Sequence, residues 1–155
     1  MGEIFLFTED GFKKIELEIK NLEKQLNELV LQKGEAAETG GNAWHDNFCF
    51  EEICRQETLL RNHLDTIKDI KANAQIVQQT NNNETATIGC RVKYQIDNGI
   101  IQECKLVGYG EADLEKNHIS YNSPLGSAIM NAKKGEVKEY CCEEFKKNIK
   151  IIDIF

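Results

Sequence analysis

Apolar residues in the first half of the chain recur in alternating steps of three and four. The ascending series is Phe12, Ile15, Ile19, Leu22, Leu26, Leu29, then Lys33 and Ala36, and the descending series is Phe50, Ile53, Glu57, Leu60, Leu64, Ile67, Lys71 and Ala74. Side chains at that spacing share one helix face, so each series predicts a helix with a single apolar stripe. Two such stripes cover each other only if the chain reverses between them, which places a turn in residues 37–47. That stretch is rich in Gly, Asn and polar groups, as a helix-to-helix turn requires. Thr8 is placed to cap the first helix, with Glu9 and Asp10 in its first turn, and Asp46 or Asn47 to cap the second. Arms of about 28 residues reach roughly 40 Å at the helical rise. In the antiparallel mirror Leu29 faces Glu57, Lys33 faces Ile53 and Ile15 faces Lys71. The three seam charges are therefore expected to snorkel outward and to fix the register.

Beyond residue 77 the pattern changes. Residues 78–86 are polar, carry no apolar period and read as a linker. Cys90, Val92, Tyr94 and Ile96 then alternate with polar residues, and Asp97-Asn98-Gly99 closes the run with a tight-turn signature, so a hairpin returning through 100–107 is expected. Ile119-Ser120-Tyr121 reads as a short strand and Pro124 as the first turn of a short helix over 125–131. Two late strands, 136–142 and 149–155, complete a small antiparallel sheet with one helix on it. The expected class is α+β: an N-terminal hairpin over 1–77 with its tip near 40–47, then a sheet domain over 87–155.

The chain has 155 residues, 41% hydrophobic and 29% charged, which is ordinary for a soluble protein of one domain or two small units. The apolar run at Phe5-Leu6-Phe7 lacks the basic lead and length of a signal peptide, and no stretch approaches a membrane span, so a cytoplasmic protein without membrane partners is expected. The six cysteines form no CxxC pair and are expected to be reduced thiols. A formal net charge of −7 argues against strong duplex DNA binding, which needs clustered Lys and Arg.

Several segments together resemble a known family. Phe7-Thr8-Glu9-Asp10-Gly11-Phe12-Lys13-Lys14-Ile15 is similar to the Thr-x-x-Gly-x-x-Lys-Leu opening of the bacterial Gre-type transcription elongation factors, also called transcript cleavage factors. His118-Ile119-Ser120-Tyr121-Asn122-Ser123-Pro124-Leu125-Gly126-Ser127-Ala128-Ile129 resembles that family's Ile-Ser-x-x-Ser-Pro segment, and Val107-Gly108 and Glu111-Ala112-Asp113 precede it as in the family. The resemblance implies an antiparallel coiled coil joined to an FKBP-like domain. It implies that the globular part docks on RNA polymerase, with Ser120, Ser123 and Pro124 as docking candidates, while the hairpin enters the secondary channel. There, in the family, acidic tip residues help the polymerase cut a backtracked transcript. The chain would then be no enzyme by itself: it would stimulate the polymerase's own two-metal hydrolysis, sharing Mg²⁺ with the polymerase active site.

The tip departs from the family's Gly-Asp-x-x-Glu-Asn. The matching stretch, Gly41-Asn42-Ala43-Trp44-His45-Asp46-Asn47, is one residue longer and has Asn42 where the first Asp should stand. Asp46 is the expected metal ligand, with Asn42 or His45 as helpers. Asp46 and Asn47 equally suit a helix cap, and Trp44 suits either stacking on a nucleic-acid or polymerase group or packing over the hairpin end. Arg55 and Arg61 are candidates for contact with the nascent RNA 3′ end. Three functions follow: a cleavage-stimulating elongation factor, a channel-binding regulator that lacks cleavage because its tip is altered, and a prolyl isomerase or chaperone built on the FKBP-like domain.

Overall fold

The computed structural model describes residues 3–39, 48–78, 84–142 and 145–155. The chain divides into two compact units, Lys13–Asn73 and the combination of Met1–Phe12 with Ala74–Phe155. The architecture is α+β, two long helices and a curled, mostly antiparallel sheet.

The helical unit consists of most of α1 (Glu9–Thr39) and all of α2 (Phe48–Ala72). Ion pairs between the helices give their direction, because Glu16 meets Lys71, Glu23 meets Lys68 and Lys33 meets Glu57, so residue numbers fall on one helix as they rise on the other. The helices are antiparallel. Ile15, Ile19, Leu22 and Leu26 of α1 and Leu64 and Ile67 of α2 are buried, which is the apolar stripe read from the sequence.

The seam charges are satisfied by long side chains that reach along the seam. Lys33 pairs with Glu57 at 2.9 Å while its ammonium also stands near the Phe50 ring, so it lies among the turns on either side of Ile53. Lys71 finds the carboxylate of Glu16 at 2.8 Å, one position from the expected Ile15.

The second unit holds a two-stranded and a five-stranded sheet. In the first, β1 (Phe5–Phe7) pairs in parallel with β2 (Ala74–Ile76), the strands that directly precede α1 and follow α2. Parallel neighbours need a long crossover, and here the crossover is the helical unit itself. Residues 3–12 and 74–77, expected within the hairpin, thus lie in the globular unit.

The larger sheet has the order β5-β4-β3-β7-β6, built from β3 (Arg91–Ile96), β4 (Ile101–Val107), β5 (His118–Ser120), β6 (Val137–Cys142) and β7 (Phe145–Ile154). All neighbours are antiparallel except β4 and β5, so the expected all-antiparallel sheet carries one parallel edge. The β3–β4 turn has Asp97 and Asn98 both at positive φ, with the Gly99 amide donating to the Ile96 carbonyl at 2.7 Å, the backbone of a two-residue hairpin turn whose twist suits the strands. The α3 helix (Pro124–Ile129) packs on the sheet. Val92, Leu106, Ile129, Ile149 and Ile151 are fully buried and form the core.

Candidate functional site

The hairpin's apolar seam weakens toward residues 40–47. Buried pairs end at Leu26 and Leu64, and Leu29, Lys33, Ile53, Glu57 and Leu60 are only half-buried. Where burial fades, charge takes over. The Lys33 ammonium donates to Glu57 Oε2 at 2.9 Å, and Arg61 donates from Nε and Nη2 to Oε1 of the same carboxylate at 3.0 and 2.8 Å. Lys33 Nζ also stands 5.8 Å from the Phe50 ring centroid, within cation–π range. The hydrogen bond to Glu57 raises the Lys33 pKa, while Lys33 first and Arg61 second hold the Glu57 carboxyl below the usual range.

One turn nearer the tip, Arg55 grips Glu52 through two parallel bonds, Nε to Oε2 at 2.9 Å and Nη2 to Oε1 at 2.7 Å. This bidentate geometry, with a further bond from Gln56, lowers the Glu52 pKa to about 2. Both arginines proposed for RNA contact are therefore anchored to carboxylates on their own helix, with exposed side chains. The remaining tip candidates, Asn42, Trp44, His45, Asp46 and Asn47, lie outside the described residues.

In the globular unit the segments that carry the resemblance form an interlocked polar set. Thr8 caps α1, its Oγ1 accepting the Gly11 amide at 3.0 Å, and the same hydroxyl donates to Glu111 Oε2 at 2.6 Å. Glu111 Oε1 accepts the Thr8 amide at 2.9 Å, so one carboxylate closes both ends of the cap. A Cβ at Gly11 would run into that carboxylate, and one at Gly108 would meet both Glu111 and the backbone of Leu6 and Phe7. The glycine of Thr-x-x-Gly thus has a steric reason that the sequence did not reveal, since Glu111 is 103 positions away.

The docking candidates divide between internal and free. Ser120 is buried, its hydroxyl within 2.8 Å of the Gly108 carbonyl and 2.7 Å of Asn122 Oδ1. Ser123 caps α3, accepting the Gly126 amide at 3.0 Å and donating to the Ser120 carbonyl at 2.7 Å. Pro124 occupies the first helical turn, where its missing amide costs nothing, and remains exposed beside exposed Asn122. Gly126 is required because a Cβ there would strike the Ser120 carbonyl.

A cleft of about 420 Å³ on the sheet is lined by Tyr94, Gln102, Glu103, Asn117 and His118 among others. Its one tyrosine, Tyr94, donates its hydroxyl to Gln102, and its apolar lining is otherwise Cys104, Leu114 and Ile119, so the cleft lacks the aromatic cluster of a prolyl-peptide pocket. Among the described residues no three His, Cys, Asp or Glu side chains converge as metal ligands, and no helix is long and apolar enough to cross a membrane.

The family model for "Transcription elongation factor, GreA/GreB, C-term" matches residues 80–155, the stretch that builds the five-stranded sheet. Curated relatives extend the match over the helices. Transcription elongation factor GreA of Syntrophobacter fumaroxidans is 25% identical over 149 residues, covering 95% of each chain, and that of Thermoanaerobacter pseudethanolicus is 28% identical over 139 residues, covering 88% of each. The chain is similar to Gre factors along nearly its whole length. Among solved structures, GreA factor homolog 1 (Gfh1) of Thermus thermophilus aligns over 99% of each chain at 19% identity, with a TM-score of 0.47. In this Gre-like chain the Thr-x-x-Gly opening and the Ser-x-x-Ser-Pro segment both serve the globular unit: one caps α1 against Glu111, the other shapes the entry to α3.

Proposed function

We propose that this chain is a transcription elongation factor that binds RNA polymerase through its globular unit, inserts its hairpin tip into the secondary channel and stimulates cleavage of backtracked transcripts. The observation that carries the reading is the joining, in one chain, of a GreA/GreB C-terminal match at 80–155 to an antiparallel helix pair whose connecting sequence holds Asp46-Asn47. Pro124, exposed on a segment whose Ser120 and Ser123 hydroxyls are engaged internally, is the docking candidate left for a polymerase surface.

Asp46 and Asn42 offer oxygen donors of the hard type that Mg²⁺ takes. Asp46, with Asn42, would help hold a Mg²⁺ shared with the polymerase, which would supply activation of water and stabilisation of charge developing on the phosphate. Asp46 supplies a full negative charge to that site, whereas Asn42 supplies only a dipole, so metal retention is weaker than with two carboxylates. The chain's own contribution is one carboxylate delivered on a stiff support, and the polymerase supplies the remaining ligands and the reaction.

Asn42 also favours a second reading, a channel-binding regulator without cleavage. Both readings are tested on polymerase stalled in a backtracked complex, with wild type and Asp46→Asn at varied Mg²⁺ and Mn²⁺. RNA shortening that is lost in the variant establishes the first reading. Tight binding without shortening at any metal level establishes the second.

A further inference from the structure

Between its buried half and residues 40–47 the hairpin is fastened by charge rather than by apolar burial, and the details of the charged cluster say what it is for. Glu57 sits on the seam with a side chain only 13% exposed, and both its oxygens are engaged, one by α1 through Lys33 and one by its own helix through Arg61. Lys33 is held from a second direction by the Phe50 ring on α2. A partly buried ion pair of this kind adds little net stability over apolar residues of the same size, because desolvation offsets the attraction. Its distinctive property is directional. An aliphatic seam slides by a turn at modest cost, but Lys33 shifted by one turn would leave Glu57 without its partner across the seam.

We propose that Lys33, Glu57 and Arg61 form a register clamp that positions the helix ends flanking residues 40–47, and that the cluster is kept for positioning rather than for stability. The inference rests on the cleavage reading above only for its activity readout. Lys33 and Glu57 are positioning residues: they act through the tip carboxylate and touch no substrate.

The discriminating variant is the apolar double replacement Lys33→Met with Glu57→Met, studied in the full chain beside Lys33→Arg. The clamp predicts that the double variant melts at the same temperature as wild type or higher, binds polymerase at the same concentration, and yet cleaves on the order of 10- to 100-fold more slowly with a raised Mg²⁺ requirement, since small misplacement of a reacting group is costly. Lys33→Arg, which keeps the charge and the reach, is expected to retain most of the rate. Loss of thermal stability in step with activity would overturn the proposal, as would full activity in the double variant. If wild type itself proves inactive, the cleavage reading fails and the clamp is judged separately, by the distance distribution between spin-labelled unnatural amino acids at positions 38 and 51. A narrow distribution in wild type that broadens in the double variant supports the clamp, and equal widths overturn it.

Discussion

The globular unit and the helical hairpin are held together by different physics. In the sheet unit Val92, Leu106, Ile129, Ile149 and Ile151 are withdrawn completely from solvent, and the polar atoms of Thr8, Ser120 and Ser123 are paired with neighbours inside the unit. Two helices alone have no interior to match this. Their best-buried residues, Leu64 and Ile67, still touch water; cross-helix ion pairs of Glu16 with Lys71 and Glu23 with Lys68 flank them, and toward the tip Lys33 pairs with Glu57 across a seam that is only half-buried. Apolar burial stabilises in proportion to area and is indifferent to fine alignment, whereas paired charges contribute little energy but specify alignment. The difference suits the function proposed above, in which the sheet anchors the factor and the hairpin presents Asp46.

The largest expected effect lies in the sheet. Ile151→Ala should cost about 3–4 kcal/mol, the range for truncating a fully buried aliphatic residue, and Leu29→Ala on the half-buried part of the hairpin only about 1 kcal/mol. Urea unfolding of the two variants checks the ratio, and similar costs would dissolve the contrast. Next comes Gly11→Ala. A methyl group there forces the Glu111 carboxylate away from Thr8, losing two charge-assisted bonds against a gain of about 1 kcal/mol in helix propensity. A net loss of about 1–2 kcal/mol is expected, read from the same unfolding curves. Gly34→Ala is the matching control in the helical unit. No atom lies within 4 Å of the new methyl, so the helix should gain about 0.5–1 kcal/mol, seen as a higher melting temperature.

The smallest effect is the response to acid. Glu57, Glu16 and Glu52 have folded-state pKa values below the unfolded ones, through Lys33, Lys71 and Arg55 respectively. Their contribution is therefore present above the ordinary carboxylate pKa and is lost as pH falls from there toward the folded value, about 2 for Glu52. Circular dichroism of the helices at 222 nm should decline over that acid range, while the near-ultraviolet signal of the sheet unit's tyrosines holds. A simultaneous decline would mean that the ion pairs are incidental.

Much of this contrast was legible in the sequence because it is periodic. The two helices, the capping role of Thr8, the turn at Asp97-Asn98-Gly99 and the helix start at Pro124 each follow from local spacing or local chemistry. The rest depends on partners far away along the chain. Phe5–Phe7 and Ala74–Ile76 are three residues each, too short for alternation to announce a strand, and they find each other across the whole hairpin. Glu111 lies in a loop with no pattern that would connect it to Thr8. The ion-pair partners of the seam charges were not legible, because apolar periodicity sets the layers but not which carboxylate a long Lys side chain reaches, Glu57 for Lys33 and Glu16 for Lys71. Ser120 and Ser123 stand in the motif that suggested docking, yet their hydroxyls shape the backbone that carries exposed Pro124.

The most direct test of the account places a photoreactive amino acid at position 46 and irradiates the factor on polymerase stalled in a backtracked complex. The account predicts crosslinks to the extruded RNA 3′ segment or to the polymerase active-site region, competed away by unlabelled wild type. Full occupancy of the polymerase with no crosslink from position 46 to either would contradict it.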